Sequence, residues 1–197
     1  MNTAATVPAQ NLCDRKHRLG LPTSFAGRLG LRLQDALEDF VARVSVNGDP
    51  PIYDAKVFPW VAELEADWRK IRTELDTVMK FRDEMPSFQE ILKEVSTIQT
   101  DNDWKTFFLA GIGMECAANA QRCPETMRLL GRIPGMKTAF FSILSPHKHI
   151  PAHRGAFNGI LRLHLALMVP EPREQVRIRI GNEIGRASCR ERVCLVV

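Results

Sequence analysis

Four of the chain's five histidines, His147, His149, His153 and His164, lie between positions 147 and 164. Imidazole binds iron, copper, nickel or zinc as a neutral nitrogen donor, so a sequence that gathers histidines in this way points to a metal site. His153 follows Pro151-Ala152 and precedes Arg154-Gly155, which places it at a strand end or turn where a side chain can reach an open cavity. His164 stands in an alternation, Leu161-Arg162-Leu163-His164-Leu165. Arg162 and His164 therefore share one strand face and the leucines the other. A cation beside an imidazole on an inner sheet face suits a dicarboxylate ligand; the alternative is a leucine core with a merely solvated polar pair. His147 and His149 flank Lys148 in a loop and read as solvent-exposed side chains, not ligands.

These residues need elements to hold them, and the order along the chain is helices first, then strands. Residues 1 to about 30 carry Pro, Gly, Ser and Thr without periodicity and read as a flexible extension. A helical region spans 31–100. Leu33, Leu37, Phe40, Val41 and Val44 give one amphipathic helix, ended by Asn47-Gly48-Asp49-Pro50-Pro51. Trp60, Leu64, Trp68, Ile71, Leu75 and Val78 form a second stripe, read as a packing face, and a third short helix is expected over Phe88–Ile98.

After Asp101 come short β-rich runs, WKTFFL (104–109), TAFFSIL (138–144), LRLHLALMV (161–169) and VRIRI (176–180). Between the first two, Pro124-Glu125-Thr126 opens a helical segment closed by Gly131. The fold class is thus α+β, with a sheet-based catalytic half.

At 197 residues and 45% hydrophobic content, one domain with a sizeable core is expected. A net charge of +4, without a Lys/Arg run interleaved with aromatics, does not favour a nucleic-acid partner. The longest apolar run, Leu163–Pro170, is far short of the roughly 20 residues of a membrane-spanning helix, so no transmembrane segment is expected. No apolar h-region follows Arg15, Lys16 and Arg18, and a cytoplasmic location is the default. The five cysteines include no C-x-x-C pair. Most read as free thiols, with a Cys116–Cys123 bridge left open.

The segment SILSPHKHIPAHRGAFNGILRLHLALMVPEP, followed by RIRIGNE, resembles the aspartyl/asparaginyl β-hydroxylase family, which includes animal peptidyl hydroxylases and bacterial lipid A hydroxylases. The resemblance covers about residues 100–183, with PPIYD and WKTFFL extending it toward residue 50. It implies a double-stranded β-helix of jelly-roll type, incomplete here over 101–183, with N-terminal helices packed on it. It also implies Fe(II) as cofactor and 2-oxoglutarate as cosubstrate, used with O2 to hydroxylate an unactivated carbon. By position, His153 matches the first iron-binding histidine and is the expected catalytic residue. Arg162 and His164 match residues that bind the 2-oxoglutarate carboxylates, and Ser142 matches a serine that contacts the cosubstrate. Gly155 stands where the usual facial triad has its carboxylate, as it does in some members, so iron is expected with two protein ligands.

The family continues past GNE with a second iron-binding histidine in an FEHEVW-like motif and an arginine for the far carboxylate; here the chain reads IGRASCRERVCLVV instead. Ile184–Val193 back-translates as ATC GGA AGA GCG TCG TGT AGG GAA AGA GTG, which resembles the read-through of a sequencing-library adapter. Residues 184–197 are therefore expected to be a non-native tail that interrupts the strand pattern, and the chain as written to be inactive. The resemblance implies a dioxygenase acting on a peptidyl Asp/Asn or related substrate, with lipid and small-molecule substrates also open. The competing reading is a jelly-roll binding domain that has lost turnover.

Overall fold

The computed structural model describes residues 25–92, 100–153, 158–180, 183–186 and 191–197, with only the backbone path described for 183–186 and 191–195. Its helices come mostly first and its antiparallel strands mostly after them, which makes the fold α+β. Helix α1 runs Phe25–Val44, so residues 25–30, expected to be loose, are instead its first turns. Phe25 and Leu29 extend the Leu33/Leu37 stripe backwards by one and two helical steps of four, which the Gly- and Arg-rich composition masked. The rest of the expected extension lies outside the described residues.

The second stripe is split between α2 (Pro59–Ala66) and α3 (Trp68–Val78), with Asp67 at the joint. Pro59 suits the first helical position of α2, where a missing N–H costs nothing. Leu64, Ile71, Leu75 and Val78 are fully buried, so the stripe packs as its spacing predicts. Helix α4 is a single turn, Phe88–Ile91, started by a capping box between Ser87 and Glu90. The expected continuation to Ile98 falls mostly outside the described residues.

Strands β1 (Trp104–Ala110), β2 (Ala139–Leu144), β3 (His164–Met168) and β4 (Arg177–Ile180) match the four β-rich runs. Helix α5 (Ala117–Gln121) was not foreseen, and α6 (Pro124–Leu130) was. The 184–197 segment does not interrupt the strand pattern. It takes part in β5 (Glu183–Arg186) and forms β6 (Glu191–Val196). β5 pairs with β4 as a hairpin, and β6 lies between β2 and β3 in an antiparallel sheet of order β1-β2-β6-β3. The Val193-Cys194-Leu195-Val196 run has the branched, apolar side chains that a central strand requires.

Side-chain alternation divides this sheet into two faces. Phe107, Leu109, Phe141, Ile143, Leu165 and Leu167 point to one, where Ile71, Leu75 and Val78 of α3 and Leu129 and Leu130 of α6 complete the main core. The opposite face carries a smaller cluster of Phe88, Trp104, Phe108, Phe140 and Val196. Glu74 of α3 ties the layers together: its carboxylate accepts from the backbone N–H of Glu125 and Thr126 and from the Thr126 hydroxyl, at 2.7–2.8 Å. It caps α6, whose own N-cap residue Cys123 supplies no side-chain bond. Among the described residues no helix is long and apolar enough to cross a membrane.

Candidate functional site

The second face of the sheet carries the polar side chains. Thr106 of β1 pairs directly with Ser142 of β2, and directly opposed residues of an antiparallel pair share a face. Ser142 is buried, and its Oγ accepts a 2.9 Å hydrogen bond from Nε1 of Trp104. An indole N–H can only donate, so Ser142 must accept there and its own O–H is left to donate elsewhere. Thr106 is 1% exposed and its Oγ1 has no hydrogen-bond partner among the described residues. A buried hydroxyl without a partner is costly. Two hydroxyls side by side, one unsatisfied and one with a proton to give, fit an oxygen-rich ligand.

His164 belongs to the same face. It pairs with Val196, which pairs in turn with Phe140, and both of those side chains lie in the smaller cluster. The ladder continues through reciprocal backbone bonds between Leu163 and Val197 at 3.0 and 3.1 Å, so alternation carries Arg162 to the side of His164. Leu163 and Leu165 lie against the main core, whereas Leu161 is exposed. Ser142 and His164 stand two strands and two residues apart on this face, roughly 12 Å between Cα atoms from strand spacing and rise. Long Arg and His side chains can close much of that distance over a small dicarboxylate.

Arg162 and His164 are both exposed, and the protein packed around their inner atoms still lowers the pKa of the guanidinium by desolvation. Burial, and secondly the Arg162 charge, push His164 from its ordinary 6.5 down to about 4. Accessible surface combined with partial desolvation is what the wall of an open recess provides, and solvent screens the charges there. No carboxylate among the described residues pairs with Arg162. A guanidinium beside an imidazole, with no carboxylate partner among the described residues, has the chemistry to receive an anion.

The preceding loop is shaped by Lys148, whose side chain is only 8% exposed and reaches Asp101 at 2.6 and 2.8 Å. The Lys148 hydrogen bond, then the backbone N–H of Asp103, hold the Asp101 carboxyl below its usual range. With Lys148 turned inward and His147 at a φ of 61°, both His147 and His149 face solvent. His153 differs: it is half-buried, and its Nδ1 lies 2.9 Å from the Pro151 carbonyl. A carbonyl only accepts, so Nδ1 carries a proton, and Nε2 is the nitrogen left to offer a lone pair to a metal. Metal-binding imidazoles are oriented by this kind of second bond. Among the described residues no group of three or more His, Cys, Asp or Glu converges for a metal, and Gly155 lies outside them.

One face of the sheet thus carries Ser142 and His164, with Arg162 two residues before β3 and His153 on the loop after β2. Sequence reasoning missed Trp104 and Thr106. Their alternation within WKTFFL placed them on one face, but only strand pairing shows what they oppose. A cavity of about 420 Å³ at the free edge of β1 is lined by Met85, Ile91, Thr106, Met114 and Arg122, among others, and Arg162, His164 and His153 do not line it. Cys116 and Cys123 are free thiols; Cys123 is buried, and burial above all pushes its pKa up to about 12, which makes it unreactive.

An antiparallel sheet with one helix-packed face, and an opposite face that carries hydroxyl and imidazole groups beside an aromatic cluster, defines an α+β protein. Comparison with known proteins gives that description a family: the model for "Aspartyl/Asparaginyl beta-hydroxylase" matches residues 65–197. The chain belongs to that family. It is 51% identical over 137 residues to the ornithine lipid ester-linked acyl 2-hydroxylase of Rhizobium tropici, covering 70% of this chain and 49% of that protein. It is 32% identical over 128 residues to human aspartyl/asparaginyl beta-hydroxylase, covering 62% and 16%. Against aspartate beta-hydroxylase domain-containing protein 2 of Xenopus tropicalis it is 29% identical over 159 residues, covering 70% and 42%. The chain therefore spans about half the length, or less, of these relatives.

Proposed function

We propose that the protein is an Fe(II)- and 2-oxoglutarate-dependent dioxygenase that hydroxylates the acyl chain of an amino-acid-containing lipid. The observation that carries the reading is the Arg162–His164–Ser142 face: a guanidinium unpaired among the described carboxylates, a neutral imidazole and a hydroxyl with a proton to donate. These donors suit the carboxylates of 2-oxoglutarate. Arg162 supplies charge, His164 a neutral ring N–H, and Ser142 an O–H held in register by Trp104. The partnerless Thr106 hydroxyl lies next to Ser142 and adds a second donor. His153 would hold iron through Nε2, its ring oriented by the Pro151 carbonyl.

Iron, when bound, supplies oxygen activation and couples loss of CO2 from 2-oxoglutarate to insertion of one oxygen atom into a C–H bond, leaving succinate. The protein's part is to hold the cosubstrate by its carboxylates and to exclude bulk water on the apolar side formed by Phe108, Phe140 and Val196. In this reading the β1-β2-β6-β3 sheet and the β4–β5 hairpin belong to a double-stranded β-helix. The acyl-lipid substrate, rather than a peptidyl Asp/Asn, is favoured by the 51% identity to an ornithine lipid acyl 2-hydroxylase against 32% to the human aspartyl/asparaginyl beta-hydroxylase.

The test uses the product of the longest reading frame containing this chain, supplied with Fe(II), 2-oxoglutarate, O2 and an ornithine-type diacyl lipid. We expect lipid gaining one oxygen, with succinate formed in equal amount, both abolished in His153→Ala. Coupled turnover undiminished in His153→Ala would rule out that iron ligand. Hydroxylation of Asp/Asn peptides but of no acyl lipid would overturn the substrate, and 2-oxoglutarate binding without any turnover would favour the binding-domain reading.

A further inference from the structure

Helix α1 lies entirely before the residues that the family model matches, and it is docked with its apolar side outward. At about 100° per residue, Phe25, Leu29, Leu33, Leu37, Phe40 and Val44 fall within roughly 120° of arc. All six are exposed, from 51% at Leu29 to 79% at Phe25. The opposite side of the helix faces the protein. Glu38 there is 1% exposed, and its backbone carbonyl accepts from the Asn158 amide at 3.0 Å. A surface helix normally buries its apolar stripe; α1 leaves that stripe exposed and buries Glu38 instead.

We infer that this outward face of α1 docks on an anionic lipid bilayer, lying in the headgroup plane so that the site faces membrane-resident acyl lipid. The choice of occupant rests on the acyl-lipid reading above and on two structural observations. The first is charge. Arg28, Arg32 and Arg43 border the stripe, are exposed, and have no ion-pair partner among the described residues, while Asp35 and Asp39 on the same flank are half-buried. The sequence just before the helix adds Arg15, Lys16 and Arg18. An apolar stripe edged by arginine is the pattern of an interfacial helix, and the charges within α1 rule it out as a spanning one.

The second observation is continuity with the site. Val41 and Val44 at the end of α1 line one cavity of about 260 Å³ together with Asn158, Gly159 and Leu161. Leu161 directly precedes Arg162, and Ile160 and Leu161 are themselves exposed apolar residues. The apolar surface of α1 therefore leads to the strand that carries Arg162 and His164, and a helix lying in the interface would place that strand within reach of lipid.

The experiment is flotation of the chain with phosphatidylcholine vesicles, with and without about one third phosphatidylglycerol, free of ornithine-type lipid, metal and cosubstrate. We expect binding to the anionic vesicles that weakens with salt. Leu33→Gln/Leu37→Gln should lower the partition coefficient roughly tenfold or more, and Arg28→Gln/Arg32→Gln should lower it roughly fivefold per arginine. Both pairs are exposed, so unchanged circular dichroism is expected and confirms an intact fold. No flotation with either vesicle, or flotation indifferent to Leu33→Gln/Leu37→Gln, overturns the inference. So does a dimer that this variant dissociates while the parent ignores vesicles, since a second copy would then cover the face. Vesicle binding by a protein that leaves every acyl lipid unmodified would refute the proposed reaction and keep the surface. Hydroxylation of detergent-dispersed lipid without vesicle binding would do the reverse.

Discussion

The Trp104–Ser142 bond makes the clearest quantitative prediction, because it joins stability to the geometry of the proposed cosubstrate site. Ser142→Ala removes only one oxygen, but that oxygen is the acceptor for a buried indole N–H at 2.9 Å. An orphaned buried donor costs about 1–3 kcal/mol, so Ser142→Ala should destabilise the fold by about 2 kcal/mol. Trp104→Phe loses the same bond, worth about 1 kcal/mol net, and a strip of apolar surface worth about 1 kcal/mol more. The new ring keeps the position of the Trp104 contact with Phe88, whose centroids are 4.6 Å apart. Once the indole is gone, losing the serine oxygen orphans nothing. The double variant should therefore cost about 3 kcal/mol, with a coupling energy near 1 kcal/mol. Urea denaturation followed by far-UV circular dichroism measures all three, and for a chain of this size each kcal/mol moves Tm by about 2–4 °C. Strict additivity, or a Ser142→Ala cost below about 0.5 kcal/mol, would show that Ser142 is not held as an acceptor and would remove the argument that its proton is free to donate.

Other perturbations probe the scaffold and the recess. Glu74→Ala should cost about 3 kcal/mol in the same urea assay, because three charge-assisted bonds cap α6 from α3; Glu74→Gln, which keeps one good acceptor, should cost about half as much. His164 is held neutral by burial and by Arg162, its pKa falling from 6.5 to about 4. As pH drops through that window the unfolded chain takes up the proton first, so the contribution of His164 to stability is complete above pH 6.5 and is lost toward pH 4. His164→Gln should flatten the fall of the urea midpoint across that range, and an NMR titration of His164 with a midpoint near 6.5 would show that the recess does not desolvate it.

Much of the scaffold was readable from local pattern because local pattern is what decides it. The stripe from Leu64 to Val78 has a 3.6-residue period and one partner surface, so it had to pack. The alternation of Leu163, His164 and Leu165 had to send imidazole and leucines apart. What was missed depends on distant partners. α5 is a five-residue helix without apolar periodicity, fastened by the Asn119 amide to the Phe108 carbonyl on the exposed edge of β1. β6 has ordinary strand chemistry, but its place between β2 and β3 is a property of the sheet. The partner of Trp104 is 38 residues away, beyond any local signal.

The two histidine readings divide along the same line. That His147 and His149 are exposed followed from their loop context, and Lys148 between them turns inward to an ion pair with Asp101 from 47 residues upstream. His153 stood out by its place between Pro151-Ala152 and Arg154, yet its fitness as a ligand rests on which ring nitrogen keeps the proton, and the Pro151 carbonyl decides that. α1 carries the lesson furthest. Periodicity identified an amphipathic helix correctly and said nothing of which side faces the protein, because the same stripe serves a core or a bilayer equally well. Only the buried Glu38 and the exposed Phe25 and Leu33 separate the two. A helix whose charged residue is inside and whose leucines are outside already has its polar contacts, and what it still lacks is an apolar phase to lie against.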